Sequence, residues 1–101
     1  MPNDAVYNDI SMKTPPLGLA KLDRLISMAK AGNQEAFTQL YDQFFTKIYR
    51  FIYFRVSHKE VAEDLTEDVF IKVFRSLPKL EQQQSFESWV YQIARNRVID
   101  Y

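Results

Sequence analysis

Residues 33–56 read NQEAFTQLYDQFFTKIYRFIYFRV, and this stretch decides the fold. Placed at about 100° per residue around a helix axis, Phe37, Leu40, Tyr41, Phe44, Ile48, Phe51 and Ile52 hold one face. Asn33 is suited to the N-cap, because its side-chain oxygen can accept from a first-turn backbone N–H that has no partner within the helix. An unbroken helix of this length spans roughly 35 Å at about 1.5 Å per residue. Tyr53 and Phe54 fall partly outside the stripe, which predicts packing on more than one neighbour.

Upstream, Leu19, Leu22, Leu25, Ile26 and Ala29 recur at helical spacing. Gly32 then stands where a helix C-terminus favours a left-handed residue. A short first helix is therefore expected before the long second one. Residues 1–18 lack periodicity and include Pro2, Pro15, Pro16 and Gly18, which reads as a mobile tail.

Downstream, Ser57 and Glu60 form an S-x-x-E capping box, predicting a third helix that starts near His58. Its end is expected near Leu77, because Pro78 disfavours helical geometry in the residue before it. The run PKLEQQQ then connects to a fourth helix, SFESWVYQIARNRVIDY over residues 85–101, with Ser85 as its cap. No strand-like alternation or hairpin turn signal occurs anywhere. The expected fold is all-α: a compact bundle of about four helices over residues 19–101, behind the tail.

Composition agrees with one small globular domain. The 101 residues are 47% hydrophobic and 15% aromatic, and a chain of this size buries about 60–65% of its unfolded surface. The absence of cysteine excludes disulfides and thiolate metal ligands and fits a reducing compartment. No apolar run approaches the roughly 18 residues of a membrane span, and MPNDAVYNDISMKTPP does not resemble a signal peptide. A soluble cytoplasmic protein without membrane insertion is expected.

Thirteen basic and thirteen acidic residues cancel, but their distribution is uneven. Between Phe44 and Val56 the charged residues are Lys47, Arg50 and Arg55; between Glu60 and Asp68 they are Glu60, Glu63, Asp64, Glu67 and Asp68. Two surfaces of opposite sign follow, suited to two partners or to ordinary solvated helix faces.

On the third helix, Val61, Ala62, Leu65, Val69, Phe70, Val73, Phe74 and Leu77 form the expected core arc. The opposite arc holds Glu60, Asp64, Glu67, Asp68 and Arg75, with Ile71 among them. Acids that steer a basic partner, around an aliphatic side chain that desolvates on contact, suit a docking face, although single exposed apolar residues are common. On the fourth helix, Phe86, Trp89, Val90, Ile93, Ala94 and Tyr101 are expected to pack. Tyr91, Gln92, Arg95, Asn96 and Ile99 face the other way, and the polar ones can meet phosphates and base edges while Tyr91 offers a ring for stacking. Arg97 falls in the apolar arc, so it is expected to snorkel outward or to pair, with Asp100 as one partner.

Catalysis finds little support. His58 is the only histidine, glycine-rich phosphate loops need more than Gly18 and Gly32, and Asp64, Glu67 and Asp68 have no second acidic cluster with which to hold Mg²⁺. The chain is not expected to be an enzyme.

Three runs taken together, AGNQEAFTQLYDQFFTKIYRFIYFRV, AEDLTEDVFIKVFRSL and FESWVYQIARNRVIDY, resemble region 2 of the bacterial sigma-70 family in its extracytoplasmic-function (ECF) group. The likeness covers about residues 30–101 in unbroken order. It implies binding to core RNA polymerase through the clamp helices of the β′ subunit, together with recognition and melting of the promoter minus-10 element. It implies no cofactor. Asp64, Glu67, Asp68 and Ile71 match the polymerase-binding segment, with Glu67 where the family often has glutamine. The connector Lys79 to Ser85, including Gln82, Gln83 and Gln84, matches the loop that captures a flipped minus-10 base. Asn96 matches an asparagine on the DNA-facing side of the next helix, and Gln92 stands where arginine or lysine is common. The outer face of the fourth helix, with Tyr91, Gln92, Arg95 and Asn96, is then expected to meet the non-template strand.

Complete ECF factors continue into a second helical domain that reads the minus-35 element, so the resemblance implies a fragment. An anti-sigma factor is a further partner that the family allows. The alternative is a helical interaction module, an adaptor or decoy, that keeps the acidic face and binds polymerase or an anti-sigma factor without reading DNA.

Overall fold

The computed structural model describes residues 18–81 and 85–101. The tail expected over residues 1–18 lies outside them except for Gly18, and Gln82, Gln83 and Gln84 lie outside them as well. Among the described residues the order is α1 (Leu19–Lys30), α2 (Gln34–Val56), α3 (Lys59–Ser76), a 3₁₀ turn (Leu77–Lys79) and α4 (Phe86–Ile99). None of these helices is long and apolar enough to cross a membrane.

The ends of the helices follow from capping chemistry. Gly32 adopts φ 98° and closes α1 with two backbone bonds, Gly32 N–H to Ala29 C=O and Asn33 N–H to Met28 C=O, each 3.0 Å. Asn33 Oδ1 accepts from the Ala36 N–H at 2.8 Å and starts α2.

The next junction differs from the expected one. Ser57 closes α2 in the left-handed region, at φ 53°, and its N–H donates to the Tyr53 carbonyl at 2.8 Å. The cap of α3 is His58, whose Nδ1 accepts from the Val61 N–H at 3.3 Å. A side chain can cap only from an extended backbone, and once Ser57 turns left-handed to end α2, that role passes one residue on. Ser85 caps α4 as expected, accepting from the Ser88 N–H at 3.4 Å.

Helix α2 is the spine and packs on α1, α3 and α4. Its Leu40, Ile48 and Ile52 are fully buried, as are Val69 and Val73 of α3, Leu77 of the 3₁₀ turn and Val90 of α4. Edge-to-face rings bind the elements together: Phe37 with Phe74, Tyr41 with Phe70 and Phe44 with Phe86, at centroid separations of 5.1, 4.9 and 5.2 Å. Trp89 is half-buried beside Phe86.

Four apolar residues depart from the helical-wheel expectation. Leu19, the first residue of α1, is exposed. Phe54 is exposed although α2 does pack on several neighbours. Tyr101 lies past the end of α4 and is exposed. Phe74 reaches Phe37 with one edge yet stays 51% exposed.

The connector is tied to the body. Leu80 is buried, and its carbonyl accepts from Lys30 Nζ of α1 at 2.5 Å. The first helix thus secures the segment that leads into α4.

Candidate functional site

Two unlike faces reach solvent. On α3, Asp64, Glu67 and Asp68 are all exposed and Ile71 is 48% exposed. About two turns of helix bring these four to one side, since positions 64, 67, 68 and 71 are spaced by three and four residues. Phe74, three residues after Ile71, extends the apolar part of the strip. The sequence carried that signal in the same i, i+3 relation, but burial in the core arc competed with it.

The acids differ in their surroundings. Asp68 Oδ2 accepts from both Arg97 Nε and Nη2, at 3.2 and 3.0 Å, across the α3/α4 interface. The expected Arg97–Asp100 pairing is therefore replaced. Asp100 ends α4, whereas Asp68 sits on the neighbouring helix within reach of a guanidinium leaving the apolar arc. Glu67 lies toward α2: the Tyr41 hydroxyl has a pKa raised above its usual 10.0, first by burial and then by the negative charges of Glu67 and Asp42.

The second face belongs to α4. Gln92, Arg95 and Asn96 are exposed, and Ile99 is 74% exposed. Between Glu87 and Asp100 this helix carries no acid. Tyr91 turns out to be half-buried, with its ring edge-to-face against Phe51 of α2 at 5.3 Å, so only part of it is open for stacking. Burial raises its pKa, and the charge of Glu87 adds to the shift. Lys79 is exposed in the 3₁₀ turn and Ser85 at the α4 cap, which brackets the connector. Among the described residues, no three His, Asp or Glu side chains converge as a metal site requires.

The family model for Sigma-70 region 2 matches residues 40–101. The ECF RNA polymerase sigma factor BldN of Streptomyces coelicolor is 41% identical over 83 residues, which are 81% of this chain and 31% of that protein. The ECF RNA polymerase sigma factor SigW of Bacillus subtilis is 30% identical over 79 residues, 78% of this chain and 42% of that protein. SigX of the same organism, also an ECF RNA polymerase sigma factor, is 35% identical over 68 residues, 67% of this chain and 35% of that protein. The chain spans about a third to two fifths of the length of these relatives. No solved structure gives a significant match. The helix order, the two faces, the match over residues 40–101 and these identities show that the chain belongs to the sigma-70 region 2 family, in its ECF group.

Proposed function

We propose that this chain is the part of a cytoplasmic sigma factor that docks on core RNA polymerase and recognises the promoter minus-10 element, a binding module in transcription initiation. The observation that carries the reading is the separation of its exposed faces. One is acidic around the apolar pair Ile71 and Phe74; the other is polar and free of acids along α4 between Glu87 and Asp100. The first suits a basic protein surface, on which acids steer and the two apolar side chains desolvate. The clamp helices of the β′ subunit are the partner that the family relationship suggests.

Asp64, Glu67, Asp68 and Ile71 are assigned to this contact, and Phe74 joins them. The Asp68–Arg97 pair does not prevent it, because an exposed pair is worth only about 0–1 kcal/mol and exchanges readily for an intermolecular one. The second face suits the non-template strand. Gln92, Arg95 and Asn96 offer hydrogen bonds to bases and phosphates, Tyr91 a partly open ring, and Lys79 and Ser85 flank the connector that is assigned to the flipped base together with Gln82, Gln83 and Gln84.

The test separates the faces. Ile71→Ala with Phe74→Ala should weaken pull-down of core polymerase while leaving binding of a fluorescent minus-10 strand unchanged. Asn96→Ala should do the reverse, at a cost of about 1–3 kcal/mol if it makes a specific base contact. Loss of both activities in either variant, with helicity intact by circular dichroism, would refute the division. Polymerase binding by a chain that binds no DNA would favour the adaptor or decoy reading.

A further inference from the structure

The basic run of α2 is not used by either face described so far, yet the packing brings it beside the α4 face. Helices α2 and α4 lie side by side in parallel register: Lys47 pairs with Glu87 at 3.7 Å, and Phe51 meets Tyr91 at 5.3 Å. Both contacts join residues forty apart in sequence, and they lie one helical turn from each other. Carried one further turn, the same register matches Arg55, next to last in α2, with Arg95 in the C-terminal part of α4.

Arg55 is held in place. Its guanidinium lies over the Phe51 ring, 3.6 Å from the centroid, and Nη1 donates to the Phe51 carbonyl at 2.9 Å. Phe51 in turn abuts Tyr91, so the ring that positions Arg55 also touches the α4 residue one turn before Arg95. Of the acids that flank this seam on α4, Glu87 already has Lys47 as a partner and Asp100 lies at the helix end, five residues past Arg95, while α2 carries no acid from Phe44 to Val56.

We propose that Arg55 and Arg95 form a two-helix phosphate clamp, gripping the backbone of the nucleic-acid strand whose bases meet α4. Guanidinium groups suit phosphate because their donors form a planar fork that matches its oxygens. The stacked, hydrogen-bonded Arg55 loses little further side-chain freedom on binding. The clamp contacts backbone only, so it sets the register of the strand without reading its sequence. This inference rests on the assignment of α4 to DNA.

The experiment uses the 101-residue chain with fluorescein-labelled single-stranded DNA, carrying either a minus-10 sequence or a scrambled one, in anisotropy titrations across a salt series. Arg55→Gln, Arg95→Gln and the double variant are compared with Asn96→Ala, and all four are checked by circular dichroism. Each arginine variant should lose about three- to tenfold in affinity at low salt, as expected for a solvent-exposed charged hydrogen bond. The loss should be equal on both DNA sequences. The double variant should be little worse than either single one, because both groups hold one phosphate, and its plot of log K against log salt should be shallower by about 0.7.

If the arginine variants bind both strands as tightly as the parent while Asn96→Ala loses the minus-10 strand, the clamp is wrong and the α4 assignment stands. If the parent binds neither strand, both fail. If polyglutamate competes as well as DNA at equal charge, the seam is a surface for acidic protein and the clamp is overturned.

Discussion

Reversing the charge at Asp68 should destabilise the chain, whereas the same change at Asp64 should not. Both positions are exposed on one face of α3, but Asp68 alone bridges to α4, with Arg97 Nη2 at 3.0 Å. The two side chains are 46% and 37% exposed, so solvent screening holds the pair to the surface range of about 0.2–1 kcal/mol. Asp68→Arg removes that attraction and sets two guanidinium groups against each other, a penalty of similar size, for a total of about 0.5–1.5 kcal/mol. In a domain of this length about 1 kcal/mol moves Tm by roughly 4–8 °C. Asp64→Arg leaves Arg97 paired and places a cation one turn from both Glu60 and Asp68, so its Tm should stay level or rise slightly. Thermal melts followed at 222 nm in low salt and in about 1 M salt provide the check, because the screening length falls from about 10 Å at 0.1 M to about 3 Å. The difference between the variants should shrink in high salt. Equal melting temperatures in low salt, or a difference that salt leaves untouched, would refute the bridge. Both variants should still weaken polymerase association, so stability and docking are separable at Asp64.

Other perturbations follow from the helix ends and from two half-buried tyrosines. Ser57→Gly should raise the denaturant midpoint by the equivalent of about 0.5–1 kcal/mol, because glycine carries no steric penalty at φ 53°; a lower midpoint would contradict the left-handed cap. His58→Asp should also stabilise, by about 0.5–1 kcal/mol, through a better cap and a negative charge at the start of α3, and urea melts of the two single variants and the double would reveal any coupling between them. Gly32→Ala should cost about 1 kcal/mol or more at φ 98° although the added Cβ meets nothing within 4 Å, so an unchanged urea midpoint would count against a strained backbone there. The raised pKa values of Tyr41 and Tyr91 mean that the folded state holds these protons more tightly than the unfolded chain. Their contribution to stability is complete below pH 10 and is lost as pH rises through the folded values; Tyr41→Phe and Tyr91→Phe should each flatten the alkaline fall in Tm.

The sequence by itself determined the helices, because local chemistry is enough to specify them. The apolar stripe from Phe37 to Ile52, the glycine at 32 and the asparagine at 33 act within a few residues of themselves, and each does in the structure what its type predicts. The acidic α3 face and the polar α4 face were legible for the same reason, since positions three and four apart on a helix always share a side. Tertiary structure decided which of those side chains are engaged elsewhere. Arg97 turned to Asp68 rather than Asp100, and Phe74 stayed half open, because both depend on how α3 lies against its neighbours. The cap moved from Ser57 to His58 because one residue cannot both turn left-handed to end α2 and stay extended to begin α3. The parallel register of α2 and α4, seen at Lys47 with Glu87 and Phe51 with Tyr91, joins residues forty apart. Helical periodicity reports only the direction in which each residue points around its own axis, and it contains no term for the distance between two helices.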